Sequence, residues 1–255
     1  MPYISVIMPV YNAERFLDCS VGSVLSQTFD DWELICFNDA STDRSIDILN
    51  RYASSDKRIR VIDSPVNVKQ GGGRNRGLLA AMGEYVMFLD ADDRLASHES
   101  LATCVRAIKE ENADMVLFDY ETFRNDGSDP VTVSPLGQEA AKLSGDNLRR
   151  HITMHPGPIW SAVYKRTLIL ENGLLFPEGV FYEDNAVALA IQLSASLPAK
   201  INASIYGYRT DNTSVTRSRN DYRFFHRINS AVTLKSHLVR LKLYDRWHDE
   251  IDFLL

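Results

Sequence analysis

Residues 85–94 read YVMFLDADDR, an apolar run that ends in three carboxylates, Asp90, Asp92 and Asp93. Like charges this close repel, and apolar surroundings raise the cost of ionising them. Such oxygens suit a hard divalent cation, Mg²⁺ or Mn²⁺. One or two acids can hold it while leaving positions open for waters and substrate phosphates. The plainer reading is an acidic loop ahead of a capped helix. The position at the end of a strand-like run favours the cation.

Four other stretches carry comparable chemistry. PVYN (9–12) offers the flat ring of Tyr11, on which a base could stack, or else a simple strand-to-helix turn. In FNDASTD (37–43), Asp39 could accept a hydrogen bond from a base or a ribose, while Ser41, Thr42 and Asp43 can cap a helix. NVKQGGGRNRG (67–77) reads as a glycine-rich loop before a helix, permitting close backbone approach, with Arg74 and Arg76 in the same loop. It is no dinucleotide fingerprint, because Arg76 stands where glycine is required, and it lacks the Gly-Lys-Ser/Thr of a Walker A loop. FYEDN (181–185) opens an apolar helix. A helix N-terminus stabilises an anion, so Asp184 could be a cap; a deprotonated acid facing a pocket is also what a general base requires.

The elements that would position these groups alternate. Strand-like runs at 4–10, 32–37, 59–63, 85–90 and 114–120 are separated by helical patterns over 13–27, from Ser41 or Thr42 onward, up to about Gly83, and from a Ser97 cap. Continuous apolar strands between helices argue for an α/β chain with a mostly parallel sheet covered on both faces. Ligands in such sheets bind beyond the carboxyl ends of the strands, where these acids lie. The second half is less regular, with a turn at 125–130, a loop at 155–160, a helix within 181–194, a strand at 199–209 and a helix from Asp221 to about Leu241.

The chain has 255 residues and a net charge of −6, which excludes a generally basic nucleic-acid binder. Three scattered cysteines without metal or redox spacing fit reduced thiols in a cytosolic setting. The start lacks the basic region of a signal peptide, and no run approaches the ~18 apolar residues of a membrane span.

In this order and on these strand ends, PVYN, NDASTD, the RN of GGGRNRG, FLDADD and FYEDN resemble the inverting family 2 glycosyltransferases of the GT-A fold. The resemblance covers roughly residues 3–215. WSAVYKR (160–166), LLFPEGVFYED (174–184) and YRTDNTSVT (208–216) resemble the branch that builds bacterial surface polysaccharides. It implies a Rossmann-like GT-A domain over 1–215 with a helical C-terminal extension, 216–255, packing on it. It implies a nucleotide-sugar donor, with uridine favoured over other bases, and a glycan or lipid-linked acceptor hydroxyl. Pro9, Val10 and Tyr11 would line the base and Asp39 would hydrogen-bond it. Arg74 would sit over the base or its phosphates. Asp90 would reach the ribose or a metal-bound water, with Ala91 beside it in the donor loop. Asp92 would ligate Mn²⁺ or Mg²⁺. Asp93 would support the loop or face the acceptor. Asp184 would be the base, Glu183 would shape its site, and Trp160 with the 209–216 loop would wall the pocket. The family often has glycine where this chain has Ala40 and Lys69, and a second aspartate where it has Asn38.

Rival readings are a haloacid-type phosphohydrolase, a nucleotidyltransferase and a degenerate sugar-nucleotide-binding module. The first normally carries D-x-D on its first strand, and the second a glycine-rich basic loop after it; this chain has neither there. From Arg217 to Arg246 eight Lys/Arg face two acids, so the segment is about +6 and the remainder about −12. A basic helical stretch can solvate one face while the other packs, or lie on anionic lipid. Packing is the favoured reading, so the expected location is the cytoplasm, with peripheral contact at the inner face of the membrane through 217–246 as the alternative. Oligomeric state is left open, and an apolar end at IDFLL suggests a helix that pairs with something or a longer chain.

Overall fold

The computed structural model describes residues 1–211 and 224–254. The first half alternates strand and helix: β1 (Ile4–Val10), α1 (Leu17–Leu25), β2 (Trp32–Asp39), α2 (Ser45–Ser55), β3 (Ile59–Ser64), α3 (Lys69–Ala80), β4 (Tyr85–Phe88), β5 (Arg94–Leu95) and α4 (Ser100–Glu111). The second half is β6 (Met115–Phe123), β7 (Val131–Val133), α5 (Gly145–Met154), β8 (Ala162–Lys165), α6 (Arg166–Leu170), α7 (Ala188–Ser194), β9 (Pro198–Arg209), α8 (Phe224–Arg240) and α9 (Tyr244–Leu254).

One sheet runs β3-β2-β1-β4-β8-β6-β9-β5, with β7 beside β6. β1, β2, β3 and β4 pair in parallel, and β6 pairs in parallel with β9. β8 runs antiparallel between β4 and β6, so β6 and β9 point the same way as β1–β4. The carboxyl ends of six strands therefore share one edge. Every residue of β1 and β2 is buried, as continuous apolar strands require when both sheet faces are covered. One core layer lies under α1, α2 and α4, and the other under α3, α5, α7, α8 and α9. Leu234, Leu238, Trp247 and Ile251 from the last two helices join that second layer. No helix among the described residues is long and apolar enough to cross a membrane.

Three local expectations change. The glycines 71–73 are not a loop but the first half of α3. Helical glycine normally weakens a helix, but here it permits close packing on the sheet. A Cβ at Gly77 would come 2.3 Å from Ile7, and one at Gly73 3.1 Å from Pro9 and Phe37. Ser41 and Thr42 do not cap α2. The Ser45 N–H bonds to Asp43 Oδ1 instead, while Ser41 Oγ accepts from Asn12 N and Thr42 N donates to Asn12 Oδ1, tying the turns after β1 and β2 together. Asp184 does not open an α-helix. It begins a single 3₁₀ turn, Asp184–Ala186, and α7 starts only after a break at Val187.

Candidate active site

Strand ends deliver four of the five motifs to one edge, and the Arg74 fork brings the fifth, FYEDN, to them. Val10 is fully buried, and Tyr11 is 54% exposed just beyond β1. Asp39, ending β2, is itself buried. Its Oδ1 accepts from Val68 N at 2.6 Å and its carbonyl accepts from Asn67 Nδ2 at 3.0 Å, so it shapes the entry to α3. Ala40 and Lys69 flank this junction at φ 57° and 65°. The left-handed region strains a Cβ-bearing residue, which explains physically why glycine suits both positions.

The acidic turn after β4 separates its three aspartates by role. Asp93 is buried: its Oδ2 accepts from the Tyr206 hydroxyl at 2.6 Å and its Oδ1 from Arg209 N at 2.8 Å. Burial first, then the charges of Asp92 and Asp90, push its carboxyl up to about 8. Asp93 therefore braces the turn from below. Asp90 N donates to the same tyrosine hydroxyl, and Arg209 Nε donates to the Asp92 carbonyl at 2.7 Å. Ala91 is buried between them. The carboxylates of Asp90 and Asp92 are partly exposed.

Arg74 connects this turn to the distant FYEDN stretch. The guanidinium is buried, with Nη2 2.8 Å from Asp90 Oδ1 and Nη1 2.5 Å from Glu183 Oε1, a residue 109 positions away. Burial alone would lower its pKa, but Asp90, Glu183 and Asp184 together drive the balance upward. Burial raises Glu183, partly opposed by Arg74. Asp184, beside it, is partly exposed and accepts from Asn185 N at 3.0 Å. The segment leading to it is held by α8. His226 Nδ1 accepts from Phe181 N at 3.0 Å, Ser230 Oγ donates to the Tyr182 carbonyl at 2.8 Å, and Tyr182 sits at φ 59°.

The fork on Arg74 thus joins Arg74, Asp90 and Glu183, with Asp184 alongside, and Asp92 lies on the same turn. Pro9, Val10, Tyr11 and Asp39 stand at the neighbouring strand ends. Sequence reasoning misses Tyr206, His226 and Ser230, and it gives Arg209 only as part of the expected pocket wall; YGYR and the basic C-terminal pattern contain them, but nothing local points to acids far up the chain. The 212–216 part of the expected pocket wall and the basic residues 217–223 lie outside the described residues.

Among the described residues no three His, Cys, Asp or Glu side chains form a cage for a metal ion. Two hard carboxylates, Asp90 and Asp92, fit a Mg²⁺- or Mn²⁺-type ion that takes its remaining ligands from water and substrate phosphates. The charge also fits, since among the described residues Asp90, Glu183 and Asp184 all act on the single guanidinium of Arg74.

The glycosyl transferase family 2 model matches residues 5–169, which carry four of the five motifs. The chain belongs to glycosyl transferase family 2. It is 33% identical over 223 residues to the uncharacterized glycosyltransferase EpsJ of Bacillus subtilis, a match covering 85% of this chain and 63% of that relative. Family and fold agree. TarS of S. aureus, solved with UDP-GlcNAc, superposes with a TM-score of 0.74 at 24% identity over 91% of this chain and 66% of the TarS chain. A mannosyltransferase of Pyrobaculum calidifontis, solved with GDP-Man and Mn2+, superposes with a TM-score of 0.63 at 16% identity over 96% of this family 2 chain and 75% of its own. The shared fold is GT-A, as the strand-end motifs imply. The family 2 chain thus spans under two thirds of the length of EpsJ and TarS.

Proposed function

We propose that the chain transfers a sugar from a nucleoside-diphosphate donor to a hydroxyl of a glycan or lipid-linked acceptor, with inversion. The observation that carries this reading is the Arg74 fork, which holds the acidic turn after β4 against the segment bearing Asp184. Pro9, Val10, Tyr11 and Asp39 would receive the nucleoside at the ends of β1 and β2. Asp90 and Asp92 would hold Mn²⁺ or Mg²⁺ with the donor's diphosphate. Once bound, that cation would neutralise charge developing on the leaving group.

The acceptor oxygen would attack the anomeric carbon from the face opposite the diphosphate. The bond from that carbon to the diphosphate oxygen breaks, and the acceptor proton passes to Asp184. Glu183 is a positioning residue, since its carboxylate is engaged by Arg74. TarS and the Pyrobaculum mannosyltransferase were solved with sugar nucleotides, which supports this donor class.

The test is a thermal-shift screen of sugar nucleotides with and without Mn²⁺, because a ligand that binds the native state raises apparent stability. Active donors are then scored for released nucleoside diphosphate. Asp184→Asn is expected to keep the donor-induced shift and lose transfer by about 10²–10⁴-fold, the usual scale of base catalysis. Pyrophosphate as product would replace this reading with nucleotidyl transfer. Near-normal turnover of Asp184→Asn would remove Asp184 from the role of base.

A further inference from the structure

An aromatic cluster borders the acidic turn on the side away from the nucleoside motifs. The Trp160 indole lies nearly parallel to Tyr206, with centroids 4.4 Å apart and 16° between planes, and extends over Tyr208 at 5.6 Å and 13°. Tyr120 meets it edge-on at 5.0 Å and 89°. Tyr120 and Tyr206 are register partners on β6 and β9, so their side chains share one sheet face. Tyr206 is fully buried and is the same tyrosine whose hydroxyl holds Asp93 and the Asp90 amide. The indole is thus one ring thickness from the residue bracing the acids.

Trp160 and Tyr120 differ from core aromatics. Both are half-buried, whereas Trp32 and Trp247 are only 2% and 3% exposed. Among the described residues the Trp160 indole N–H and the Tyr120 hydroxyl make no hydrogen bond, yet neither is among the buried polar atoms lacking a partner. Their polar edges therefore reach solvent. Buried Trp and Tyr normally find a partner for that polar edge, and rings that leave it open present an apolar face beside a hydrogen-bonding rim.

We infer that Trp160 and Tyr120 form a subsite for a sugar ring of the acceptor. The C–H bonds on one face of a pyranose carry slight positive charge and suit the negative face of an aromatic ring. Its hydroxyls suit the open indole N–H and phenol. Topology assigns the occupant. The sheet order puts β2 and β1, with Asp39 and Tyr11, on one side of β4, and β6 and β9 on the other. A donor anchored on the β1–β2 side would leave the acidic turn between itself and the aromatic platform. The inference rests on the proposed transfer reaction, and it commits to a cyclic saccharide rather than a nucleobase or an open-chain polyol phosphate.

The test uses tryptophan emission and its quenching by acrylamide, since Trp160 is half-buried while the other two tryptophans, Trp32 and Trp247, are buried. The full chain is titrated with cellobiose, chitobiose, ribitol 5-phosphate and UDP, the first three with and without UDP and Mn²⁺. We expect saturable protection by at least one disaccharide and none by UDP or ribitol 5-phosphate alone. Tyr120→Ala, which keeps the reporter, should weaken that half-saturation by roughly tenfold, about the worth of one aromatic contact. It should leave the sugar-nucleotide thermal shift unchanged. Trp160→Phe, which keeps a ring on Tyr206, should lose the signal and keep the thermal shift. Protection by UDP alone, stronger protection by ribitol 5-phosphate, or no protection by either disaccharide overturns the inference. So does parallel loss of the nucleotide shift in both variants, which would make the cluster a brace. A missing nucleotide shift in the wild type would instead count against the transferase reading.

Discussion

Arg74 and Lys200 are both buried cations held by acids from distant segments, and the chain treats them differently. Lys200 sits where the β6–β9 register shifts, with Nζ 2.8 Å from Asp119 Oδ1, 2.7 Å from the Ile201 carbonyl and 3.2 Å from Asn202 Oδ1. Its three donors are matched and one charge meets one charge. Arg74 faces Asp90 and Glu183 directly, with Asp184 close enough to act on its charge. Among the described residues one guanidinium there serves three acids. A matched pair fixes an irregular strand pairing, whereas an unmatched cluster leaves negative charge for something outside the protein to neutralise. The two sites thus share burial but not balance, and balance separates scaffold from candidate active site.

The largest expected effect tests the matched pair. Lys200→Met strands Asp119 in the sheet, and removing one partner of a buried pair typically costs about 3–5 kcal/mol. Urea unfolding should show that loss, and Mn²⁺ should not restore it. Arg74→Lys keeps the charge but loses the planar fork, so it should destabilise by about 1–3 kcal/mol through one lost charged hydrogen bond. Here Mn²⁺ should recover part of the loss, because a cation relieves the same acids. Equal insensitivity of the two variants to Mn²⁺ would erase the contrast.

Asp93 sharpens it further in metal-free buffer. Its native carboxyl ionises near 8, against ~3.9 for an unperturbed aspartate. Between those values the native state holds a proton that the unfolded chain has lost, so this group's contribution falls as pH rises from about 4 through 8. Asp93→Asn should flatten that slope, and melting curves across the range would reveal it. Smaller still, Ser230→Ala should lose about 1 kcal/mol with the bond to Tyr182. The smallest change is a gain. Ala40→Gly relieves a left-handed residue and should add up to about 1 kcal/mol. A melting temperature lowered by that glycine would contradict the strain.

Much of the site was legible because its parts are local. β1, β2 and β3 announce themselves as apolar runs, and every motif but FYEDN follows its strand within a few residues. A helix-propensity reading puts the glycines of α3 in a loop because it cannot see Ile7 pressing on Gly77. The sequence pattern puts Asp184 at an α-helix start because the break at Val187 leaves no mark in an apolar stretch.

From sequence alone the acids, their order along the chain and the strand-end positions of Asp39, Asp90, Asp92 and Asp93 were determined, because backbone pattern depends on near neighbours. Tertiary structure alone decided which acid does what. Asp93 became a brace when β9 brought Tyr206 and Arg209 beneath it, and Glu183 became Arg74's partner across 109 residues. Charge pairing and burial depend on distances through space, which only packing sets. The same packing stacked Trp160 on Tyr206, beside the acids it is proposed to serve.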